Sequence, residues 1–357
     1  MGLIDEFDRQ VGEWLLGNGP EADIVISTRV RLARNVVDFP FLTKATERQR
    51  SGLEKVLRER ITQAGIQESD GERGGIVYAS MEETDALERL CLVERHLISR
   101  DLASGDGGGV ALDSRESVSI MVNEEDHLRI QVLRSGLQPE AAWNQASAID
   151  DRLEELLNYA FHADFGYLTA CPTNCGTGLR ISVMLHLPAL VMTKQIDKVF
   201  QAVGKMNLAV RGLYGEGTQA FGDFYQISNQ VTLGRSEQDI LQQVHDVVPQ
   251  IVKYERAIRD TLVAENRNML EDRVWRAYGM LRNARTITSE ETMDLLSAIR
   301  MGVNLRLIDS VPIDAVNELF MRTQPAHLQR LEGRLLEAAD RDVARAAYIR
   351  MRLDELN

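Results

Sequence analysis

The chain has 357 residues, of which 44% are hydrophobic and 27% are charged, proportions that are typical of globular proteins and exclude collagen-like or wholly disordered chains. A net charge of −13 argues against nonspecific nucleic-acid binding, because that affinity comes from neutralising phosphates with basic residues. No stretch approaches the roughly 20 consecutive apolar residues of a membrane span, and the N-terminus is acidic where a signal peptide is basic and then apolar. We therefore expect a cytoplasmic protein that contacts neither membranes nor nucleic acid directly.

Short strand-like alternations and helical stretches share the chain up to about residue 254. Strands are expected where apolar and polar residues alternate, at 117–122, 128–132 and 181–187, and around 224–233. Helices are expected near residues 47–64, 82–102, 140–163, 193–204 and 236–270, and Ser236 with Asp239 is typical of a capping box. The pattern predicts an α/β (α+β) fold, with an antiparallel sheet flanked by helices.

The composition changes after residue 254. Residues 255–357 contain 16 arginines, no lysine and 17 acidic residues, and their pattern is helical with prolines only at Pro312 and Pro325. We therefore predict two domains, residues 1–254 and an all-helical domain of residues 255–357. A helical appendage of this size either forms an oligomerisation surface or packs back on the preceding domain.

Three cysteines are too few to indicate a disulfide scaffold. Cys91 is isolated, and Cys171 and Cys175 are four residues apart, a spacing that matches neither a CxxC redox pair nor half of a zinc site. The six histidines show no ligand-like spacing either. We therefore predict no structural metal site.

Neither GxxxxGK[ST] nor GxGxxG occurs, so a phosphate site would have to be built from side chains. Of the 41 basic residues 35 are arginines, whose guanidinium groups hold phosphate oxygens in a bidentate manner. Arginines stand beside other reactive groups in four segments: STRVR at 27–31, NEEDHLR at 123–129, CPTNCGTGLR at 171–180 and RGLYGEG at 211–217.

Three of these segments also have a simpler interpretation. Arg29 and Arg31 share one face of an extended strand, where they either grip a polyphosphate or are merely solvated. The carboxylates of residues 124–126 either orient or deprotonate a cationic substrate and face metal-bound water, or form a solvated acidic turn. Cys171 stands before Pro172 at an expected strand end, and a buried inert thiol is the commoner case for a lone cysteine.

Taken together, the four segments resemble the phosphagen (guanidino) kinase family over most of residues 23–254, and the combination of NEEDHLR with CPTNxGTG is specific. The resemblance implies that Glu125 and Glu216 hold the substrate guanidinium, with Cys171 as a reactive thiol beside it. It also implies that the following residues contact ATP: Ser27, Thr28, Arg29, Val30, Arg31, His96, Arg129, Arg180, Ile181, Ser182, Val183, Met184, Arg211, Gly212, Leu213, Tyr214, Gly215 and Glu216. Mg²⁺ would accompany the nucleotide.

Several departures point to one branch of that family. The chain lacks the helical domain of about a hundred residues that precedes the catalytic domain in creatine and arginine kinases. It has Tyr214, Gly217 and Cys175 where small-molecule members tend to have Arg, His and Leu, and it has a helical tail. These features, with RHLIS around His96, resemble the bacterial protein arginine kinases over the whole chain.

That resemblance implies ATP-dependent phosphorylation of protein arginine side chains, in protein quality control or stress response. It further implies an activator protein, a Clp-type protease system and a homodimer or higher homo-oligomer. A small-molecule guanidino kinase and an inactive phosphoarginine-binding scaffold are the alternatives.

The segment RDVARA at 341–346 places Arg341 and Arg345 one helical turn apart, with Asp342 adjacent. Two guanidinium groups and a carboxylate match the charges of phosphoarginine, although a salt-bridged surface helix with Glu337 is the simpler interpretation. The resemblance implies a regulatory phosphoarginine site at Arg341, Asp342, Arg345 and Ala346.

Overall fold

In a computed structural model, the chain is described over residues 11–66, 75–105, 107–212 and 220–356. Eight strands form one sheet in the order β2-β3-β4-β5-β1-β8-β10-β9, and every neighbouring pair is antiparallel. A short hairpin supplies the other two strands. The strands are β1 (Val25–Arg34), β2 (Val77–Ser80), β3 (Gly109–Leu112), β4 (Val118–Val122), β5 (Leu128–Ser135), β6 (Phe161–His162), β7 (Gly166–Tyr167), β8 (Leu179–His186), β9 (Leu208–Gly212) and β10 (Phe224–Asn229). The predicted antiparallel sheet is confirmed.

Helices lie between the strands of the sheet and follow the last of them. Capping boxes at Thr46 and at Ser236 begin α1 and α7, so the start signal predicted at Ser236 is confirmed. The helices are α1 (Glu47–Gln63), α2 (Ala86–Glu94), α3 (Arg100–Ser104), α4 (Pro139–Glu154), α5 (Pro188–Met192), α6 (Ile196–Lys205), α7 (Glu237–Asn283), α8 (Ser289–Asn304), α9 (Ile313–Arg322), α10 (Pro325–Leu331) and α11 (Ala338–Glu355).

Three helices differ from the sequence-based expectation. The helix predicted over 82–102 is divided into α2 and α3, because His96 has the left-handed φ of 60° and Ser99 caps a new helix. The helix predicted over 140–163 ends at Glu154, before the β6–β7 hairpin. Helix α7 extends through residue 254 as far as Asn283, with a non-helical conformation at Asn266.

Both faces of the sheet are covered, by different sets of helices. On one face, α1, α4, α6 and the first part of α7 pack on the strands through residues such as Leu57, Ile149, Val203 and Val248. On part of the other face, α2 and helices of the C-terminal region pack through residues such as Leu92, Leu296, Leu319 and Ile349.

The C-terminal region therefore packs back on the sheet. Polar contacts fix it there as well: Arg300 Nη2 donates to the carbonyl of Ala22 at 2.6 Å, and Asn304 Nδ2 donates to that of Asp23 at 3.1 Å. Within the described ranges, no helix combines the length and apolar character needed to cross a bilayer.

A buried ion pair on α7 provides a test of this packing. Glu255 is fully buried, and its carboxylate accepts hydrogen bonds from Arg259 and from the backbone amides of Ala189 and Leu190 at 2.8–3.0 Å. Since the Glu255→Ala substitution leaves a buried guanidinium without its carboxylate, we expect it to lower the free energy of unfolding by about 3–5 kcal/mol in urea denaturation.

Glu271 on the same helix provides the matched control, because it pairs with Arg267 at the same i,i+4 spacing and 2.8 Å distance but is exposed to solvent. Glu271→Ala should cost less than about 1 kcal/mol. Equal losses in the two variants would contradict the assignment of Glu255 to the core.

Candidate functional site

The first three candidate phosphate-binding arginines meet where β1 pairs with β8. Arg29 and Arg31 are two residues apart on β1, so both side chains leave the strand on the same side. In the register of the two strands, Arg31 lies opposite Arg180, and Arg29 lies opposite Ser182. Because residues that are directly opposite share a face of the sheet, the three guanidinium groups project from one face.

Strands β5 and β9 bring two more arginines to the same face. Arg129 on β5 lies opposite Ala33, which has the same orientation as the β1 arginines. Arg211 on β9 lies opposite Gln226 on β10. The Gln226 Oε1 accepts a hydrogen bond from Arg29 Nη2 at 2.7 Å. The four predicted segments that contain arginines therefore contribute to one surface, which we call the arginine face: Arg29, Arg31, Arg129, Arg180 and Arg211.

The arginine face is electropositive because it gathers five guanidinium groups, which burial and mutual repulsion disfavour in their charged form. The pKa of Arg29 is lowered to about 10, by burial first and then by the charges of Arg180 and Arg129. Burial and the same neighbours, together with Arg29, lower the pKa of Arg31. Burial and then Arg211 lower the pKa of Arg180. A bound polyanion would relieve this repulsion, so the arginine face is suited to phosphates.

Three uncharged side chains of this face were not predicted from the sequence. Gln226 accepts from Arg29, the Ser228 Oγ accepts from Arg180 Nη2 at 3.0 Å, and Gln131 lies opposite Arg31 in the sheet. No local sequence signal marks them, because only the strand register shows that they neighbour arginines.

The acidic turn between β4 and β5 lies at the edge of the arginine face. Arg129 donates from Nη1 to Glu124 at 2.6 Å and from Nη2 to Glu125 at 3.0 Å. The Glu124 side chain is only 2% exposed, whereas that of Glu125 is 42% exposed. Burial, opposed by Arg129, raises the pKa of Glu125, and neighbouring carboxylates raise it further. Glu125 is thus the carboxylate of this turn that is open to a ligand.

Asp126 connects the acidic turn to the cysteine loop. Its side chain is fully buried, and its Oδ1 accepts hydrogen bonds from Asn35 Nδ2 and from the backbone amide of Ala170, both at 2.6 Å. Ala170 immediately precedes Cys171. The turn is therefore not a simple solvated acidic hairpin, because two of its three carboxylates are buried in specific contacts.

Cys171 is partly exposed, and its Sγ lies 2.9 Å from the Thr173 Oγ1. It is followed by a short 3-10 turn, Pro172–Asn174. Gly176 has a φ of 106°, and a Cβ atom there would lie 2.5 Å from the Thr232 carbonyl oxygen, so the loop requires glycine. Cys171 is therefore not a buried thiol.

A cleft of ≈ 240 Å³ joins the cysteine loop to the arginine face. Its wall includes Thr173, Arg180, Arg211, Asn229 and Thr232. The Thr232 Oγ1 fixes the loop by donating to the carbonyl of Thr173 at 2.9 Å. Cys175 has a different environment, with its Sγ 3.4 Å from the Thr169 Oγ1.

His96 lies beside the arginine face in the connection between α2 and α3. Its ring packs edge-on against Trp14 with centroids 5.0 Å apart, and its carbonyl accepts from Gln131 Nε2 at 2.8 Å. Burial, and then the charge of Arg29, lowers the pKa of His96 to about 3. A neutral imidazole near Arg29 is compatible with nucleotide contact.

Other predicted ATP-contacting residues differ in orientation. Ser182 and Met184 alternate with the core residues of β8 on the arginine face, and Ser27 lies opposite Met184. The side chains of Val30, Ile181 and Val183 instead pack in the core on the opposite face.

The remaining predicted ATP-contacting residues within the described ranges are Thr28, inside β1, and Gly212, at the end of β9. The Thr28 Oγ1 donates to the carbonyl of Gly136 at 2.7 Å, and Gly212 ends β9. Leu213, Tyr214, Gly215 and Glu216 lie outside the described residues.

The predicted regulatory residues lie at the start of α11. Arg345 is 1% exposed and donates to the carbonyls of Thr323 and Ile287, each at 2.9 Å, and to Asp342 Oδ1 at 2.6 Å. Ala346 is also buried. Arg341 and Asp342 are partly exposed, and Arg341 Nη1 donates to the Leu336 carbonyl at 2.8 Å. Of these four residues, only Arg341 and Asp342 are accessible to a ligand, and both already have partners.

Comparison with known proteins agrees with this geometry. The family model described as "ATP:guanido phosphotransferase, C-terminal catalytic domain" matches residues 57–258, and "Protein-arginine kinase McsB C-terminal domain" matches residues 267–357. Among solved structures, lombricine kinase has a TM-score of 0.56 and 26% identity, covering 69% of this chain and 70% of its own. The duplicated taurocyamine kinase from Schistosoma mansoni has a TM-score of 0.58 and 26% identity, covering 70% of this chain and 36% of its own.

Curated relatives are similar over the whole length. A protein-arginine kinase from Desulforamulus reducens is 47% identical over 358 residues, covering 100% of this chain and 99% of the relative. A protein-arginine kinase from Bacillus subtilis is 45% identical over 353 residues, covering 99% of this chain and 96% of the relative. With matches of this extent in both of its parts, the chain belongs to the ATP:guanido phosphotransferase family and, within it, to the protein-arginine kinases.

Proposed function

We propose that this chain transfers the γ-phosphoryl group of ATP to a guanidinium nitrogen of arginine side chains in proteins. The observation that carries the proposal is the arginine face, with the exposed carboxylate of Glu125 at its edge and the Cys171 loop tied to the same turn through Asp126. The arginine face, which can bind a polyphosphate, thus lies beside the carboxylate of Glu125, which can bind a cation.

The chemistry follows from these charges. The arginine face would hold the phosphates of ATP and neutralise charge as the bond from the γ-phosphorus to its bridging oxygen breaks and ADP leaves. Glu125 and Glu216 would align the planar guanidinium, with Cys171 beside it. One carboxylate takes the proton that the attacking nitrogen loses as the P–N bond forms.

Mg²⁺ would accompany ATP and supply charge neutralisation and alignment of the phosphates when bound. Its preferred ligands are oxygens, and Glu124 offers a carboxylate that is held beside the arginine face by Arg129. Because the Glu124 side chain is only 2% exposed and its oxygens already accept from Arg129 and from the Glu125 amide, it would hold a water of the hydrated ion only after these contacts rearrange.

Protein substrates, and not free arginine, are supported by the full-length similarity to protein-arginine kinases. We retain the division into a catalytic domain of residues 1–254 and a helical regulatory or dimerisation domain of residues 255–357. Homo-oligomerisation, an activator protein, a Clp-type protease system, cytoplasmic location and a role in stress response remain proposals that rest on the family resemblance.

The activity can be tested with labelled ATP and an unstructured arginine-containing protein. Because a P–N bond is labile in acid, the label on the protein should be lost on mild acid treatment. Label that is entirely acid-stable would contradict arginine phosphorylation. Comparable turnover of free arginine would instead indicate a small-molecule guanidino kinase, and absence of transfer with retained phosphoarginine binding would indicate a scaffold.

Loss of either carboxylate should impair the reaction. Glu125→Gln and Glu216→Gln should each reduce kcat by about 10²-fold or more, because each removes a negative charge to which we assign the guanidinium. Cys171→Ser should also reduce kcat, and thiol reagents should inactivate the enzyme unless ATP and substrate protect it. Glu59→Gln, at an exposed position on α1, is the control and should have wild-type kcat. Wild-type turnover in either glutamine variant would contradict the role assigned to that carboxylate.

The raised pKa of Glu125 predicts the pH dependence of the reaction. A carboxylate accepts a proton only when it is ionised, so activity should fall as the pH decreases through its pKa. The acid limb of kcat/KM should therefore lie above the ordinary glutamate value of about 4.3. Circular dichroism over the same range would separate this limb from unfolding. A limb at or below pH ~4 would show that the rate does not depend on the ionisation of Glu125.

We also propose that phosphoarginine binds at Arg341 and Asp342 and regulates activity. Arg341 would contact the phosphate, and Asp342 the guanidinium. Because Asp342 also holds the buried Arg345 at 2.6 Å, a ligand that engages Asp342 would compete with that ion pair. Arg345 also donates a hydrogen bond to the carbonyl of Thr323. Binding at Asp342 would therefore also affect the contact between α11 and Thr323.

The double variant Arg341→Ala/Asp342→Ala should retain basal phosphorylation of a simple protein substrate but lose the response to added phosphoarginine. Arg334→Ala/Asp340→Ala, which changes exposed residues of the same charges nearby, should keep the response. An unchanged response in the first variant would show that RDVARA is an ordinary helix segment. The rate is measured with and without phosphoarginine at fixed ATP.

A further inference from the structure

The connection that presents His96 to the arginine face has a strained backbone. His96 has a φ of 60°, in a region that residues other than glycine seldom adopt. Such conformations persist where contacts with the surrounding structure compensate for their energetic cost. The ring can keep its place near Arg29 only if the residues on either side of His96 are fixed.

The two residues before His96 are held by α10, which belongs to the C-terminal helical region. The Glu94 carboxylate accepts hydrogen bonds from the backbone amides of Ala326 at 2.8 Å and His327 at 3.1 Å. It thereby satisfies two amides in the first turn of α10, which have no partner within the helix itself. A side chain next to the candidate ATP site therefore caps a helix of the other region.

The His327 side chain bridges the same two residues. Its Nδ1 lies 2.7 Å from Glu94 Oε2, and its Nε2 lies 3.1 Å from Arg95 Nε. Because the guanidinium can only donate, Nε2 accepts and Nδ1 donates to the carboxylate. In this arrangement the two ring nitrogens of His327 join a carboxylate to a guanidinium.

Burial makes this arrangement rigid. His327 and Arg95 are 2% and 1% exposed, and Arg95 Nη1 also pairs with Glu116 in the β3–β4 turn. A buried group that loses a hydrogen-bond partner is penalised far more than an exposed one. The buried contacts of Arg95 with His327 and Glu116 can therefore restrict the backbone that leads into His96.

We propose that His327 is a positioning residue of the ATP site, which holds Glu94 and Arg95 so that His96 keeps its place beside Arg29. The inference rests on the proposed function, in which His96 contacts the nucleotide. The ATP site is then completed by the C-terminal region, although none of the arginines of the arginine face comes from it.

A positioning role predicts a specific kinetic pattern. Glu125 and Cys171 lie on other loops, so the substrate guanidinium site should be little affected. His327→Leu removes both hydrogen bonds and should raise the KM for ATP about 10-fold, with kcat and the KM for the protein substrate within about 2-fold of wild type. His327→Gln can donate to Glu94 and accept from Arg95, and should restore the KM for ATP to within about 3-fold.

A double-mutant cycle separates positioning from general destabilisation. His96→Ala should raise the KM for ATP, and adding His327→Leu to it should have little further effect, because His327 acts through His96. Circular dichroism and thermal unfolding verify that each variant is folded. If His327→Leu does not fold, Glu94→Gln provides the same test, since it keeps a carbonyl acceptor for the α10 amides and weakens the contact with His327.

Two results would overturn the inference. One is an unchanged KM for ATP in folded His327→Leu. The other is a double variant in which the separate increases in the KM for ATP from His96→Ala and His327→Leu multiply. Failure of the proposed function is distinguishable, because wild-type protein would then not form acid-labile phosphoarginine at all. Wild-type arginine kinase activity together with a normal KM for ATP in folded His327→Leu would refute only the role of His327.

Discussion

Repulsion among five arginines on one sheet face is the constraint on which the site depends. The register of β1 with β8 and of β10 with β9 brings these like charges together, and burial lowers the pKa of three of them. The carboxylates of Glu124 and Glu125 and the neutral acceptors Gln226 and Ser228 offset the repulsion in part. The positive charge that remains on the arginine face favours binding of a polyphosphate.

The sheet can hold this charge because its opposite face is an apolar core. Val30 and Ile181 alternate with the arginines of their strands and pack under α1, α4, α6 and α7. The arginine face is itself continued by an apolar surface, where Met121, Met184 and Phe224 pack with the C-terminal helices. This side of the sheet therefore has two parts: the charged arginine face and an apolar part that the C-terminal helices cover. The connection that contains His96 lies where these two parts meet.

The sequence predicts the elements of this arrangement better than their pairing. The antiparallel sheet and the four segments with arginines can be predicted, because alternation of residue types and signature motifs are local. Neighbours such as Gln226 and Ser228 cannot, because they depend on strand register over long sequence separations. The burial of Arg345 escapes prediction for a similar reason, since contacts with the carbonyls of Thr323 and Ile287 determine it.

The central claim, that the arginine face binds the phosphates of the nucleotide, is tested most directly by calorimetric titration of the wild-type protein with adenosine, AMP, ADP and ATP in the presence of Mg²⁺. If the guanidinium groups contact the phosphates, the affinity should rise along this series, by about 10²-fold or more from AMP to ATP, and should weaken with added salt. Equal affinities for AMP and ATP, independent of salt, would contradict the account.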